Sequence, residues 1–504
     1  MINYQTIRAG SQQMLEGSSV FPYQQPHLIF QRLYRAHAHK FLLESKDISP
    51  VYGRMSLIGI DPVLKITGKD EKFCIESLNE RASLYAKHLG EHQPPLCERL
   101  ERSEHRMEGG IRRQSGAVEE TERSKQQNIV QLIRTIIQTF SVEEKTFLGL
   151  YGAFSYDVIR QFEDIGSTLP ENDINDFTFF LYDTFLLFDH LKQRNEIIVY
   201  RRTTQECERN ISSIQSYIIG EQPADAQSYQ IREPLFALDQ QAYEGLVGAA
   251  KQYAEQGELF EVVFSNTLTA RFDGNPFALY LAYRNANPSP YLFYMDFGTE
   301  QLVGASPEMM VRCERGVVSL RPISGTAKRG EDPVEDHENM LLLLSDPKER
   351  AELDMLIDLG RNDLSRVCEP GVAITDYRFV EKYSRVMHTV AHLTGKLRAD
   401  YTALDALIAC LNAGTLTGAP KVAAMRMIER HEKERRGYYG GTIGYLTFSG
   451  DMDTGIIIRT AHIKGNVLRF QVGATLLYDS VPEKEYQETL NKADAFLKTF
   501  SSSR

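Results

Sequence analysis

A chain of 504 residues, 42% hydrophobic and 25% charged, carries enough apolar material for about two or three ordinary domains or one large two-lobed body. Its formal net charge of −11 leaves no basic footprint for nucleic acid, so any anionic ligand must be met by a local cluster of Arg, Lys, helix ends or metal. No run approaches ~20 apolar residues and the opening "MINYQTIRAGSQQM" has no basic-then-apolar leader, so no membrane association is expected.

The six cysteines are scattered, with no CxxC and no metal-ligand spacing, which predicts free thiols in a reducing, cytoplasmic setting. Trp is absent although Phe and Tyr number 25 each.

In chain order, "HLIFQRLYRA" reads as a helix, and "KFLLES", "MSLIGI" and "VLKITG" as strands. Residues 91–127 are charged, aromatic-free and broken by Pro and Gly, which predicts a flexible surface excursion. Order resumes with "FLGLYGAFSYDVIRQFED", and the apolar runs "FTFFLYDTFLLFDH" and "NEIIVYRR" read as neighbouring strands. Linker composition over 218–236 places a boundary there, dividing the chain into 1–235 and 236–504. In the second part strand-like segments outnumber helices, and several are joined too closely for parallel crossovers. The fold class predicted is α+β, two lobes of large antiparallel sheets facing each other with helices outside.

Two helical segments carry an unusual charge pattern. "KERAELDMLIDLGRND" (348–363) sets Glu349 and Glu352 one turn apart beside Leu353, Leu356 and Ile357, and "DSVPEKEYQETLNKADAFLKTF" repeats the spacing with Glu485 and Glu488. Like charges at that spacing repel. Either both are solvated helix faces, or four carboxylates from two helices meet a hard dication such as Mg²⁺, which takes oxygen ligands.

The segments "GASPE", "RPISGT", "RNDLSRVCEPG", "YSRVMH", "LNAGTLTGAPKVAAMRMIE", "YYGGTIGYL" and "IIIRTA" occur in order between about 257 and 495. With "FLLESKD" and "GAFSYD" earlier in the chain, they resemble the chorismate-utilising enzymes, and among them the large synthase subunits of the anthranilate synthases. The resemblance implies a reaction of chorismate with ammonia, giving anthranilate and pyruvate as the first step of tryptophan biosynthesis. It implies Mg²⁺ on Glu349, Glu352, Glu485 and Glu488, holding the ring carboxylate of chorismate. It also implies the second carboxylate on Tyr439, Arg459 and the backbone around Gly473, Ala474 and Thr475, with Lys492 beside it, because Arg offers a carboxylate a bidentate fork.

Further roles come from the same resemblance. Glu308 matches a general acid and His388 a site histidine; Thr415, Gly325 and Thr326 match turns against the substrate. Lys421 fits either substrate charge balance or a structural ion pair. Glu261 stands where water-activating relatives carry lysine, and Ser324 where aminodeoxychorismate synthases typically carry one. Both point to ammonia attacking C2, although the common residues there are Gln and Ala. That departure keeps an aminodeoxyisochorismate synthase, or a secondary-metabolism anthranilate synthase, as the alternative; a non-catalytic relative of the fold is the remaining one.

None of the cysteines sits in a G-x-C-x-G elbow, so a separate glutamine amidotransferase subunit is expected to supply ammonia. "LLES" and "NPSPYLFYM" resemble the family's tryptophan pocket, which implies feedback inhibition. Glu44 would take the ligand ammonium, Ser45 would offer a hydroxyl, and Pro290, Tyr291 and Leu292 an apolar slot.

Overall fold

A computed structural model of the chain describes residues 2–45, 55–91, 97–114, 119–220, 228–383 and 386–502. Within them the strands form two 13-stranded sheets in which neighbouring strands run antiparallel. The first sheet runs in space from Ile2–Ala9 through Phe41–Glu44, Tyr291–Asp296 and Glu300–Ser306 to Val467–Leu477, Glu261–Gly274 and Tyr229–Phe236. The second runs from Ile323–Lys328 and Val386–Lys396 through Met309–Glu314, Thr442–Thr447 and Gly149–Phe154 to Lys72–Ser77 and Cys97–Arg102.

The sheets face each other across an apolar core. "FTFFLY" at Phe177–Tyr182 is buried at every position, the pattern of a strand covered on both sides. Phe41 of the first sheet stacks on Tyr151 of the second with ring centroids 4.8 Å apart. A separate apolar layer covers the outer face of the first sheet, where Ile29 and Phe30, Ile211 and Ile214, Phe277 and Tyr280, and Phe496 come from four helices. The predicted α+β class with helices outside facing sheets is what the chain adopts.

Two sequence readings need restating. The division at 235/236 is one of sequence: strands from both sides of it enter both sheets, and Phe236 ends a strand paired with Glu261–Gly274. The excursion over 91–127 contains ordered structure, since Cys97–Arg102 and Arg106–Ile111 form a hairpin that extends the second sheet from Lys72–Ser77. Its charged side chains read as coil because the edge pairing uses backbone groups and leaves those side chains in water. Arg123, also in this stretch, is buried and donates to the Ile408 carbonyl at 3.0 Å. Residues 92–96 and 115–118 of the stretch lie outside the described residues.

Candidate active site

The two E-x-x-E helices belong to different sheets. Pro347–Ser365 starts at an Asp346 cap, whose carboxylate accepts from Lys348 N at 2.8 Å and Glu349 N at 3.3 Å, with Pro347 in the first turn. It lies against Ile323–Lys328 and Val386–Lys396 of the second sheet. Pro482–Leu497 starts at Val481-Pro482 and lies against Val467–Leu477 of the first. The carboxylates nevertheless feel one another across the gap. Burial raises the proton affinity of Glu352, and Glu485 on the other helix adds to it. Glu349 is raised by burial and then by Glu352.

Glu261, buried on its strand opposite Leu477 and Ala419, is pushed up to about 7 by burial and by the Glu352 charge. Glu485 accepts from Ser480 Oγ at 2.8 Å, and the exposed Glu488 lies 3.4 Å from Lys492 Nζ. Glu352 thus lies within electrostatic reach of Glu349, Glu261 and Glu485, oxygen donors of the type a hard dication takes. Among the described residues no three acidic, His or Cys groups are yet gathered into one coordination shell.

The buried Glu308 shares a small cavity with Leu356, Leu359 and Gly360 of the Pro347–Ser365 helix. Burial pushes its carboxyl up to about 8, partly opposed by the Thr415 hydroxyl, which donates to both carboxylate oxygens at 3.1 Å, and by the Arg459 charge. At neutral pH Glu308 therefore holds its proton, the state a general acid needs.

His388 goes the other way, down to about 4, because burial and then Arg459 disfavour its cation, against the opposing Gly325 hydrogen bond. Its Nδ1 lies 2.9 Å from the Gly325 carbonyl, which can only accept, and 3.0 Å from Thr326 Oγ1. Nδ1 thus carries the proton and Nε2 is left with its basic lone pair. Gly325 has φ +68, and a side chain there would meet Glu349 Oε2 at 2.8 Å, so this turn demands glycine to bring the His388 partner and the Pro347–Ser365 helix together. Arg459, held at φ 48, acts electrostatically on both Glu308 and His388.

Tyr439 and Lys492, expected to meet the second carboxylate, come together at Gly473. A methyl at Gly473 would sit 2.8 Å from the Tyr439 hydroxyl, so that hydroxyl lies directly over its backbone. Lys492 Nζ donates to the Gly473 carbonyl at 2.9 Å, while Thr475 lies opposite Val263 in the ladder. The N–H of Ala474 donates to the Tyr243 hydroxyl at 3.2 Å and is not an open donor.

Lys421, left open by the sequence, is a structural ion pair: its Nζ lies 2.7 Å from Asp363 Oδ2 and donates to the Cys410 carbonyl at 3.1 Å. Arg321, Glu381 and Tyr383 are neighbours of His388 that residue-by-residue reading missed. Arg321 lies inside the quoted "RPISGT", but its partner is 60 positions away.

A second region lies between the sheets. Ser45, Pro290, Tyr291 and Leu292 line a cavity of about 680 Å³ together with Arg312, Tyr445 and Asp453. Ser45 Oγ donates to the Pro290 carbonyl at 2.6 Å, and the Tyr291 hydroxyl donates to Asp453 Oδ1 at 2.9 Å. Glu44 lines the same cavity, and its carboxylate already has protein partners. Arg284 grips it with Nε at 2.8 Å and Nη2 at 3.2 Å, and the Tyr280 hydroxyl donates to it at 2.5 Å. Alternation along Phe41–Glu44 explains this: Leu42 shares the helix-covered face with Glu44, while Leu43 belongs to the inter-sheet layer.

This fold brings a buried acid, a pinned histidine and two acidic helices into one body, the makings of an enzyme site. Residues 96–498 match the chorismate binding enzyme family. Anthranilate synthase component 1 of Acetivibrio thermocellus is 41% identical over 481 residues, covering 91% of this chain and 89% of that one. Its counterpart in Methanothermobacter thermautotrophicus is 34% identical, covering 95% and 92%. The crystal structure of anthranilate synthase component I from Streptococcus pneumoniae superposes with a TM-score of 0.70 at 32% identity, covering 88% of this chain and 92% of that one. The chain belongs to the chorismate-binding enzyme family, in its anthranilate synthase component 1 branch. Among the described residues no helix is long and apolar enough to cross a membrane.

Proposed function

We propose that this chain converts chorismate and ammonia to anthranilate, pyruvate and water, as the synthase half of a two-component enzyme opening tryptophan biosynthesis. The observation that carries the reading is the pairing of a protonated buried Glu308 with a neutral His388 whose Nδ1 is pinned, both under Arg459. Two groups whose environments push their proton affinities in opposite directions divide acid and base work between them. Ammonia adds at C2 of the ring, the double bonds shift, and the C4 hydroxyl leaves as water with the proton of Glu308. The ammonium formed at C2 returns one proton to Glu308; His388 Nε2 then takes the C2 hydrogen as a proton while the C3–O bond breaks, the enolpyruvyl group leaves as the enolate of pyruvate and receives that proton at its methylene carbon, and the ring becomes aromatic. Tyr439, Arg459 and Lys492 orient the substrate at its enolpyruvyl end, and Glu261 neighbours the aminated carbon.

Glu349, Glu352, Glu485 and Glu488 are the residues that would hold Mg²⁺. Bound there, the ion supplies Lewis-acid charge stabilisation to the ring carboxylate. Glu349 and Glu352, whose proton affinities are raised first by burial and further by neighbouring carboxylates, support this, since a bound cation favours their ionised forms.

Ammonia would come from a separate glutamine amidotransferase subunit, a reading supported by the component 1 naming of the relatives and by cysteines with no nucleophile elbow. Scattered free thiols fit a reducing cytoplasm. Tryptophan would occupy the inter-sheet cavity as a feedback inhibitor, with Ser45, Pro290, Tyr291 and Leu292 as its walls.

The purified chain, given chorismate and Mg²⁺, is expected to form anthranilate from ammonium salts and not from glutamine; glutamine-dependent turnover by the pure chain contradicts this. Tryptophan is expected to inhibit that activity and Ser45→Phe to relieve it, whereas insensitivity of the unmodified chain at millimolar tryptophan rejects the inhibitor reading.

A further inference from the structure

The large inter-sheet cavity and a small one of about 60 Å³ beside Glu308 and Thr415 share a wall: Met309 and Arg321 line both. Arg321 is buried, and its Nη2 donates to Glu381 Oε2 at 2.7 Å. The Tyr383 hydroxyl donates to the same oxygen, also at 2.7 Å. Glu381 stands directly opposite His388 in the neighbouring strand, and the Tyr383 ring meets the His388 imidazole edge-on, with centroids 5.6 Å apart and planes at 64°. One face of the imidazole is thus set by a side chain whose hydroxyl is fixed through Glu381 to an arginine on the cavity wall. Nδ1, on the Gly325 carbonyl and 3.0 Å from Thr326 Oγ1, fixes the tautomer, so the ring is held at Nδ1 by these two groups and on its face by Tyr383.

We infer that Arg321 is a positioning residue for His388, acting through Glu381 and Tyr383, and that it is the element through which an occupant of the inter-sheet cavity changes turnover. A ligand of that cavity that moves Arg321 toward itself draws Glu381 and Tyr383 with it and tilts the imidazole. The coupling equals the ligand's difference in affinity for the two arrangements. The positioning role rests on the assignment of His388 to catalysis, and the coupling role on the cavity being the inhibitor site.

The test uses the full chain with chorismate, ammonium and Mg²⁺, in Tyr383→Phe, which loses one hydroxyl, and Arg321→Lys. L-Tryptophan is the probe, and because the chain has no Trp its binding is read from the ligand's own fluorescence. In both variants kcat is expected to fall about 3- to 30-fold with the chorismate KM held within about twofold, the range reported for residues that act through a network. Tryptophan should still bind within about threefold of its unmodified affinity, yet inhibit the residual activity less.

Unchanged kcat and full inhibition in folded Tyr383→Phe overturn the inference. So does a parallel loss of kcat, KM and tryptophan binding with a lowered thermal midpoint, the mark of a purely structural pair. If Arg321→Lys does not fold, Tyr383→Phe decides alone. If the unmodified chain binds no tryptophan, the inhibitor reading and the coupling role fall together, and the split between kcat and KM still decides the positioning role.

Discussion

Two glutamates of this chain are buried in different company. Glu44 lies under the helical layer of the first sheet with a bidentate arginine and a tyrosine hydroxyl on its carboxylate. Glu308 lies beside the second sheet with one threonine hydroxyl shared between its oxygens. Burial alone does not make a catalytic group. A carboxylate whose lone pairs are met by a cation is part of the scaffold, and one left to hold its own proton is available for chemistry.

The contrast breaks if the two glutamates respond alike to mutation. Glu308→Gln should lower turnover by about 10²- to 10⁴-fold, the usual worth of a positioned general acid. Its thermal midpoint should not fall, because the replaced group was neutral already; a variant with near-normal turnover would remove Glu308 from the mechanism. Arg284→Ala should do the reverse, costing about 3–5 kcal/mol of stability by leaving Glu44 as a lone buried charge. Denaturant titration measures that cost, and the ammonium-dependent kcat of the remaining folded protein should be unchanged.

Smaller effects sharpen the picture. Glu352→Gln should weaken Mg²⁺ by about 10- to 100-fold, seen as a shift in the Mg²⁺ dependence of turnover; normal activity at low Mg²⁺ would return that helix to the status of a solvated face. The pH profile follows from Glu308. Its folded value of about 8 lies above the ordinary 4.5, so the fold keeps a proton that the unfolded chain has released. Its contribution to stability is therefore lost as pH rises across that window, and turnover falls above about pH 8 as the acid ionises. Thr415→Val removes the hydroxyl that favours the ionised form, so the alkaline limb should move upward, by less than about one pH unit.

Much of this was legible in the sequence because it is local. Paired glutamates at i, i+3 and apolar runs of strand length survive being read one segment at a time. What could not be read is non-local. Arg284 is 240 positions from Glu44, and Arg321 is 60 from Glu381. No periodicity marks a strand such as Gly149–Phe154, from the first part of the chain, as the partner of Thr442–Thr447 from the second. The charged hairpin at Cys97–Ile111 escaped for a related reason: an edge strand is held by its neighbour's backbone, which its own side chains do not announce. Glu44 is a further case, since "LLES" names a residue that lines the cavity but not the arginine on it.

The most direct test of the central claim is the product balance from chorismate, ammonium and Mg²⁺ with the purified chain, resolved by mass. Anthranilate and pyruvate appearing in equal amounts is the expected result. Isochorismate, or an aminated intermediate accumulating without pyruvate, would contradict it.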